Sequence, residues 1–222
     1  WANATAGDAR ERWRALTRKV IEAERSKKTA ARLELAQFLL ANGLLPEARG
    51  MIEMIGREQP EAMRDRQVAM LRLAATVLMN RFDDAKKQLA ESGLNDEVEA
   101  QLWRAAIDAH QRQWARSVIG FSNTESMIDA YPDMLQATMR TLWARAAVEA
   151  RDYATALTQI ASLDKMDREF VNAGEVAILR ARIDEGQGRN DDAAAAYARL
   201  VDGTDRGAAA LNDYARANDP FA

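Results

Sequence analysis

The chain has 222 residues, of which 48% are hydrophobic, with a formal net charge of −3. A weakly acidic balance excludes a broad electrostatic attraction to nucleic-acid phosphates or anionic lipid, so we expect neither nucleic-acid binding nor membrane insertion by this segment. No cysteine is present, which excludes disulfides, thiolate catalysis and cysteine-ligated zinc.

Helix-forming residues dominate, and apolar residues recur at helical spacing along most of the chain. We therefore predict an all-α fold. In chain order, the predicted helices run over 8–26, 29–42, 46–58, 61–79, 83–91, 96–111, 113–129, 132–150, 153–162, 166–186, 190–202 and 205–217. Their predicted N-caps include Asp8, Thr29, Asp96 and Asn190.

The clearest pair of helices lies between residues 29 and 60. Gly43 suits the left-handed turn that closes the first helix, and Pro46 suits the first turn of the second. The second helix carries Ala48 and Ile52, one helical turn apart, and Pro60 ends the unit. This arrangement predicts a helical hairpin with one apolar face.

The same pattern recurs in four further places. The small residue of the second helix reappears as Ala48, Ala85, Ser117, Ala156 and Ala193. A large apolar residue follows one turn later at Ile52, Leu89, Phe121, Ile160 and Tyr197. The turn position, five residues before the small residue, is occupied by Gly43, Asn80, Arg112, Arg151 and Gly188. The first helix places Ala36, Leu73, Ala105, Ala144 and Ala181 in register with these rows. Because one hairpin cannot bury its apolar face alone, we expect neighbouring hairpins to stack.

This unit resembles the tetratricopeptide repeat (TPR). The matching positions are Ala36, Gly43, Leu45, Ala48, Ile52 and Pro60, with aliphatic residues where the family has aromatics. The resemblance implies a TPR-like α-solenoid of about five stacked antiparallel helical hairpins plus flanking helices. We expect the repeat array over 29–203, an N-terminal flanking helix within 1–28, and a C-terminal flanking helix and tail over 204–222. Each flanking helix would be a cap or a half-repeat.

Residues suited to catalysis are sparse. The one histidine, His110, has no second histidine or cysteine to share a metal or a catalytic triad, and we expect a structural or solvated role for it. Gly186-Gln187-Gly188 is expected to be a hairpin turn. Asp83-Asp84 and Asp191-Asp192 stand at helix starts, where negative charge is favourable. We therefore expect no enzymatic activity, cofactor or metal.

The candidate partner-binding residues are arginines and tryptophans on the first helices of the hairpins. They are Arg72, Trp103, Arg104, Arg140, Trp143 and Arg145. In TPR-like stacks the first helices line a concave groove, and arginine with aromatic residues is a composition typical of binding hot spots. The alternative is that these arginines pair with local carboxylates on a solvated face and that the tryptophans belong to the core.

These expectations favour a non-catalytic scaffold that binds another protein or peptide, possibly an acidic one, through its groove. Two alternatives remain open. The first is an accessory domain of a larger enzyme, for instance in cell-wall processing. The second is a self-associating module of an envelope or motor assembly. The composition is compatible with both the cytoplasm and a bacterial periplasm, and it leaves the oligomeric state undetermined.

Overall fold

A computed structural model describes residues 8–202, and over this range the chain is helical with no β-strand. Short 3-10 turns cover Arg25–Lys27 and Pro60–Arg64. The α-helices are α1 (Ala9–Glu22), α2 (Lys28–Ala41), α3 (Leu45–Glu58), α4 (Arg66–Leu78), α5 (Phe82–Glu91), α6 (Val98–His110), α7 (Trp114–Asn123), α8 (Glu125–Asp129), α9 (Asp133–Glu149), α10 (Tyr153–Leu163), α11 (Ala173–Gly186) and α12 (Asn190–Asp202). The predicted helix over 205–217 lies outside the described residues. The all-α prediction is confirmed for the described part of the chain.

Helices that follow each other in the chain pack together as five antiparallel pairs, namely α2–α3, α4–α5, α6–α7, α9–α10 and α11–α12. The first helices of successive pairs also contact each other, α2 with α4, α4 with α6, α6 with α9, and α9 with α11. Helix α1 packs against α2. The short helix α8 stands between the third and fourth pairs.

The turn inside each pair has the same backbone geometry. One residue adopts a positive φ, and these residues are Gly43, Asn80, Arg112, Arg151 and Gly188. In each turn, the residue after it donates its backbone N–H to the carbonyl five residues earlier, as Leu44 does to Leu39 at 2.9 Å and Asp152 does to Ala147 at 2.8 Å. This closure satisfies carbonyls that a helix end would otherwise leave unpaired. All five residues stand at the turn position predicted from the repeated pattern.

The predicted small residues let the two helices of a pair approach closely. Ala48, Ala85, Ser117 and Ala156 are fully buried, and Ala193 is 3% exposed. Ser117 lies so near α6 that its hydroxyl donates to the Ala105 carbonyl oxygen at 2.9 Å. One turn later, a Cβ added to Gly120 would stand 2.8 Å from the Ala105 Cβ. The small side chains therefore set the distance between the helices.

Buried apolar residues form two clusters that meet at α9. The first extends from Leu16 of α1 to Ala146 of α9 and includes Leu135, Met139 and Trp143. The second joins another face of α9 to α10 and α11. Helix α9 is thus buried on two faces, with Met139 and Trp143 in the first cluster and Ala144 and Val148 in the second.

Contacts also extend beyond neighbouring pairs. The Met134 sulfur at the start of α9 lies near the turn of the first pair, 3.1 Å from where a Cβ on Gly43 would stand. Met134 packs against the first cluster together with Leu44 and Leu45 of the same turn. The fourth pair therefore contacts the first one directly.

Three predicted helix boundaries are wrong, and local hydrogen bonding explains them. Helix α4 begins at Arg66, because the Asp65 carboxylate caps it through the Gln67 N–H at 2.8 Å. Helix α11 begins at Ala173, because Asn172 accepts from the Glu175 N–H at 3.1 Å. The predicted helix over 113–129 is broken at Thr124, whose hydroxyl bonds back to the Gly120 carbonyl at 2.9 Å. The end of the first helix differs less, at residue 22 rather than the predicted 26.

Of the predicted N-caps, Asp8 is confirmed, since its carboxylate accepts from the Arg10 N–H at 2.7 Å. Thr29 is not a cap, because α2 already begins at Lys28 and the Thr29 hydroxyl donates instead to Gln59 at 2.6 Å. Asp96 is not a cap either, because Glu97 precedes α6 and makes no capping bond. Asn190 is the first residue of α12 itself.

Candidate functional site

The two tryptophans among the predicted site residues lie in the core. Trp103 is 0% exposed and its ring centroid is 5.9 Å from that of Tyr131. Trp143 is 3% exposed and stacks on Phe121 at a centroid distance of 5.9 Å. Both rings fill space between helices, and in this conformation neither presents a face to a ligand.

Two of the predicted arginines form contacts inside the fold. Arg140 is buried, donates to the Gln159 side-chain oxygen at 2.6 Å and pairs with Asp129. Arg145 pairs with Glu175, and both side chains are largely buried. The first arginine connects α9 to α8 and α10, and the second connects α9 to α11. Their guanidinium groups therefore hold helices of the same chain together.

Arg72 and Arg104 lie nearer the surface and occupy equivalent positions in the repeated pattern. Each stands thirteen residues before the small residue of its pair, as does Arg180 in the fifth pair. Arg104 donates to the Asn95 side-chain oxygen at 3.0 Å, in the loop after the preceding α5. Arg180 pairs with Asp164 at the end of the preceding α10. In the third and fifth pairs the arginine at this position therefore contacts the end of the preceding hairpin.

Arg72 lacks such an acceptor. Asp164 stands eight residues after Ala156, and the residue eight after Ala48 is Gly56, which has no side chain. The Met63 sulfur lies against Gly56, 3.0 Å from where a Cβ would stand. Glu58, the next carboxylate, is taken by Arg32 at 2.6 Å, and this hydrogen bond lowers the pKa of Glu58. Within the described residues, the Arg72 guanidinium consequently has no carboxylate at ion-pair distance.

Arg72 lines a cleft of about 440 Å³ between the second helices α3 and α5, with α4 at its floor. The other charged residues at this cleft are Arg49, Glu53, Arg81, Asp84, Lys87 and Glu91. Four of them neutralise one another, Arg49 with Glu53 at 2.7 Å and Arg81 with Asp84 at 2.5 Å.

Hydrogen bonds fix the floor of the cleft. Gln88 donates to the Thr76 hydroxyl at 3.1 Å, and Thr76 donates to the Arg72 carbonyl oxygen at 2.7 Å. Lys87 is exposed and, in the part of the chain that the structure describes, forms no ion pair. Arg72 and Lys87 are therefore the two basic residues of this cleft that form no ion pair among the described residues, against one such carboxylate, Glu91, and this excess of positive charge suits a carboxylate ligand.

The cleft differs from the expected groove in position and in membership. It opens between second helices rather than along first helices, and of the six predicted residues only Arg72 lines it. Sequence reasoning did not single out Arg49, Arg81 or Lys87. The shared offset of Arg72, Arg104 and Arg180 was the available signal, because it separates them from Arg140 and Arg145.

Outside the cleft, burial among neighbouring side chains shifts the pKa of several titratable groups. The His110 ring stacks on Phe82 with centroids 4.3 Å apart. Desolvation of this ring, with the Arg145 charge as a second cause, lowers the pKa of His110 to about 4. Burial, followed by the nearby Glu99 carboxylate, raises the pKa of Tyr131. Burial also raises the pKa of Asp108, against the opposing effect of Arg116.

Neither a metal-binding cluster nor a membrane-crossing helix is present in the described range. Over residues 8–202 no group of three or more His, Asp or Glu side chains is arranged to hold a metal ion. Over the same range no helix is both long and apolar enough to span a bilayer.

Comparisons with family models, with curated proteins and with solved structures found no match to this chain. The resemblance to the TPR family consequently rests on the residue pattern alone.

Proposed function

We propose that this chain is a TPR-like α-solenoid that acts as a non-catalytic scaffold and binds an acidic segment of a partner protein at the Arg72 cleft. The solenoid part is supported by the identical turn in all five pairs and by the contacts between successive first helices. Because fold alone does not determine function, the binding part depends on the cleft itself.

The observation that carries the proposal is the missing acceptor of Arg72. Equivalent arginines in the third and fifth pairs bind side chains of the preceding hairpin, whereas Arg72 faces a cleft with Lys87 beside it. A guanidinium binds a carboxylate through two parallel hydrogen bonds, so an aspartate, a glutamate or a chain terminus from a partner fits this place. The cleft is open to solvent, and its walls carry charged side chains of both signs. Such a surface suits an extended peptide.

A displayed library of random peptides tests this proposal. We expect the native protein to select sequences enriched in aspartate, glutamate or a free C-terminal carboxylate. The double variant Arg72→Glu and Lys87→Glu is expected to lose this enrichment, and the affinity of a selected peptide is expected to fall at least about tenfold. Peptides with amidated C-termini distinguish a side-chain carboxylate from a terminal one.

The matched control carries the same change in net charge outside the cleft, namely Lys86→Glu and Arg168→Glu. Both control residues are exposed, and neither lines the cleft. Equal loss of binding in both variants, or selection of basic peptides, would contradict the proposal. An absence of any selected peptide, with a mass that rises with concentration in ultracentrifugation, would favour the self-associating module instead.

A further inference from the structure

Helix α1 has an outward face that is basic and apolar. Its inward side packs on α2 through Leu16 and Val20. On the other side, Trp13 and Ile21 are 42% and 73% exposed. Residues spaced by four lie on one side of a helix, so these two residues and Thr17 between them form one ridge. A parallel ridge is formed by Arg10, Arg14 and Arg18, and the six side chains line one shallow depression.

The three arginines are unusual in their electrostatics. Among the described residues none of them forms an ion pair, although Glu11 and Glu22 belong to the same helix. Like charges four residues apart destabilise a helix, so Arg10, Arg14 and Arg18 cost α1 some of its own stability. A charge pattern of this kind is favourable when a second surface supplies the opposite charges.

Helix–helix interfaces inside this molecule indicate which charged groups such a second surface would carry. Lys19 of α1 pairs with Glu34 of α2, and Arg32 pairs with Glu58 across α2 and α3. Between α9 and α11 the pairs are Arg145 with Glu175 and Arg182 with Glu149. Each of these interfaces combines apolar contact with basic and acidic partners on opposite helices. The outward face of α1 has the apolar and basic halves of such an interface and no acidic half.

We propose that this face binds an amphipathic helix of a partner protein, whose apolar row packs on Trp13 and Ile21 and whose Asp or Glu residues, spaced by four, pair with Arg10, Arg14 and Arg18. The same face of a second copy is disfavoured, because it would bring three guanidinium groups against three others. An anionic membrane is disfavoured because only two large apolar side chains point outward, which is little for burial in the interface of a bilayer. The surface shares no residue with the Arg72 cleft, so either site can fail without the other.

The probe is a designed amphipathic peptide of about 20 residues with leucine on one ridge and glutamate on the flanking ridge, a length that covers α1. The protein is labelled with 5-fluorotryptophan, and the Trp13 resonance is assigned by Trp13→Phe. We expect the peptide to shift the Trp13 resonance and to leave those of Trp103 and Trp143 in place. The affinity is expected to weaken with added salt.

Variants then test the charge pairing. Replacing Arg10, Arg14 and Arg18 by Glu is expected to weaken binding of the glutamate peptide at least about tenfold and to create binding of a peptide with lysine in place of glutamate. This gain also shows that the variant is folded. The matched control, Lys86→Glu, Arg151→Glu and Arg168→Glu, changes the net charge equally at exposed positions outside the face and is expected to bind like the native protein.

Three outcomes would overturn the proposal. The first is no shift of the Trp13 resonance with the glutamate peptide at millimolar concentration. The second is equal binding of the glutamate and lysine peptides. The third is that vesicles containing phosphatidylglycerol, or a second copy of the protein, shift the Trp13 resonance at a lower concentration than the glutamate peptide does.

Discussion

The five turn residues all adopt a left-handed backbone conformation, and the energetic cost of that conformation depends on the side chain. Gly43 and Gly188 adopt φ values of 75° and 80° without a Cβ to clash. Asn80 is among the residues that tolerate this region. Arg112 and Arg151 adopt φ of 59° and 62° with full side chains, which costs about 1 kcal/mol or more each. The identical turn is therefore maintained at unequal local cost.

We predict that Arg151→Gly raises the free energy of unfolding by up to about 1 kcal/mol, because it removes the Cβ from a left-handed residue. The reciprocal change, Gly188→Ala, is expected to lower it by about 1 kcal/mol, since no atom lies within 4 Å of the added Cβ and only the backbone is affected. Urea titration measures both. Arg151→Ala separates the causes, because it removes the guanidinium but keeps the strain, and a gain equal to that of glycine would refute the explanation.

At the scale of elements, the spacing of the two helices in a pair depends on small residues. In the third pair, Ala105, Ser117 and Gly120 bring α6 and α7 so close that a hydroxyl of one helix reaches a carbonyl of the other. Glycine inside a helix weakens it by about 1 kcal/mol relative to alanine, so Gly120 has a local cost that close packing offsets. Gly50 in α3 has the same local cost but no atom within 4 Å of an added Cβ.

The two glycines are thus expected to respond oppositely to alanine. Gly120→Ala should lower the free energy of unfolding, because an overpacking cost of about 1–3 kcal/mol exceeds the gain in helix propensity. Gly50→Ala should raise it by about 0.5–1 kcal/mol. Thermal or urea denaturation measures these changes. Ala105→Gly placed in the Gly120→Ala background should recover part of the loss, and strict additivity of the two changes would argue against contact between these positions.

Across the whole molecule, the fourth pair contacts the first through Met134 and Gly43. In a one-dimensional repeat array each repeat contacts only its neighbours, and a substitution affects only adjacent repeats. The larger apolar cluster extends from α1 to α9, and the Met134 contact joins two pairs within it that are not adjacent in the chain. Helices α10 and α11 belong to the second cluster, which meets the first only through α9.

Met134→Ala is therefore predicted to increase amide hydrogen exchange at the turn between α2 and α3 as well as in α9. We expect a loss of about 1–2 kcal/mol in unfolding free energy, less than for a fully buried methionine because Met134 is partly exposed. Met166→Ala is the control, because Met166 packs on the second cluster. Unchanged exchange at the first turn in the Met134 variant would mean that the contact carries no stability.

The sequence by itself determined the all-α fold, the five turn positions and the small residues inside each pair. These features depend on residues close in the chain, because helix periodicity, left-handed turns and the spacing from Gly43 to Ala48 are local. The tertiary structure alone decided which side chains remain available for binding. Arg145 pairs with Glu175, thirty residues away, and Arg72 remains without a carboxylate because Gly56 and Met63 occupy the place of an acceptor. Such pairings depend on how separate hairpins meet, which the composition of a single helix does not specify.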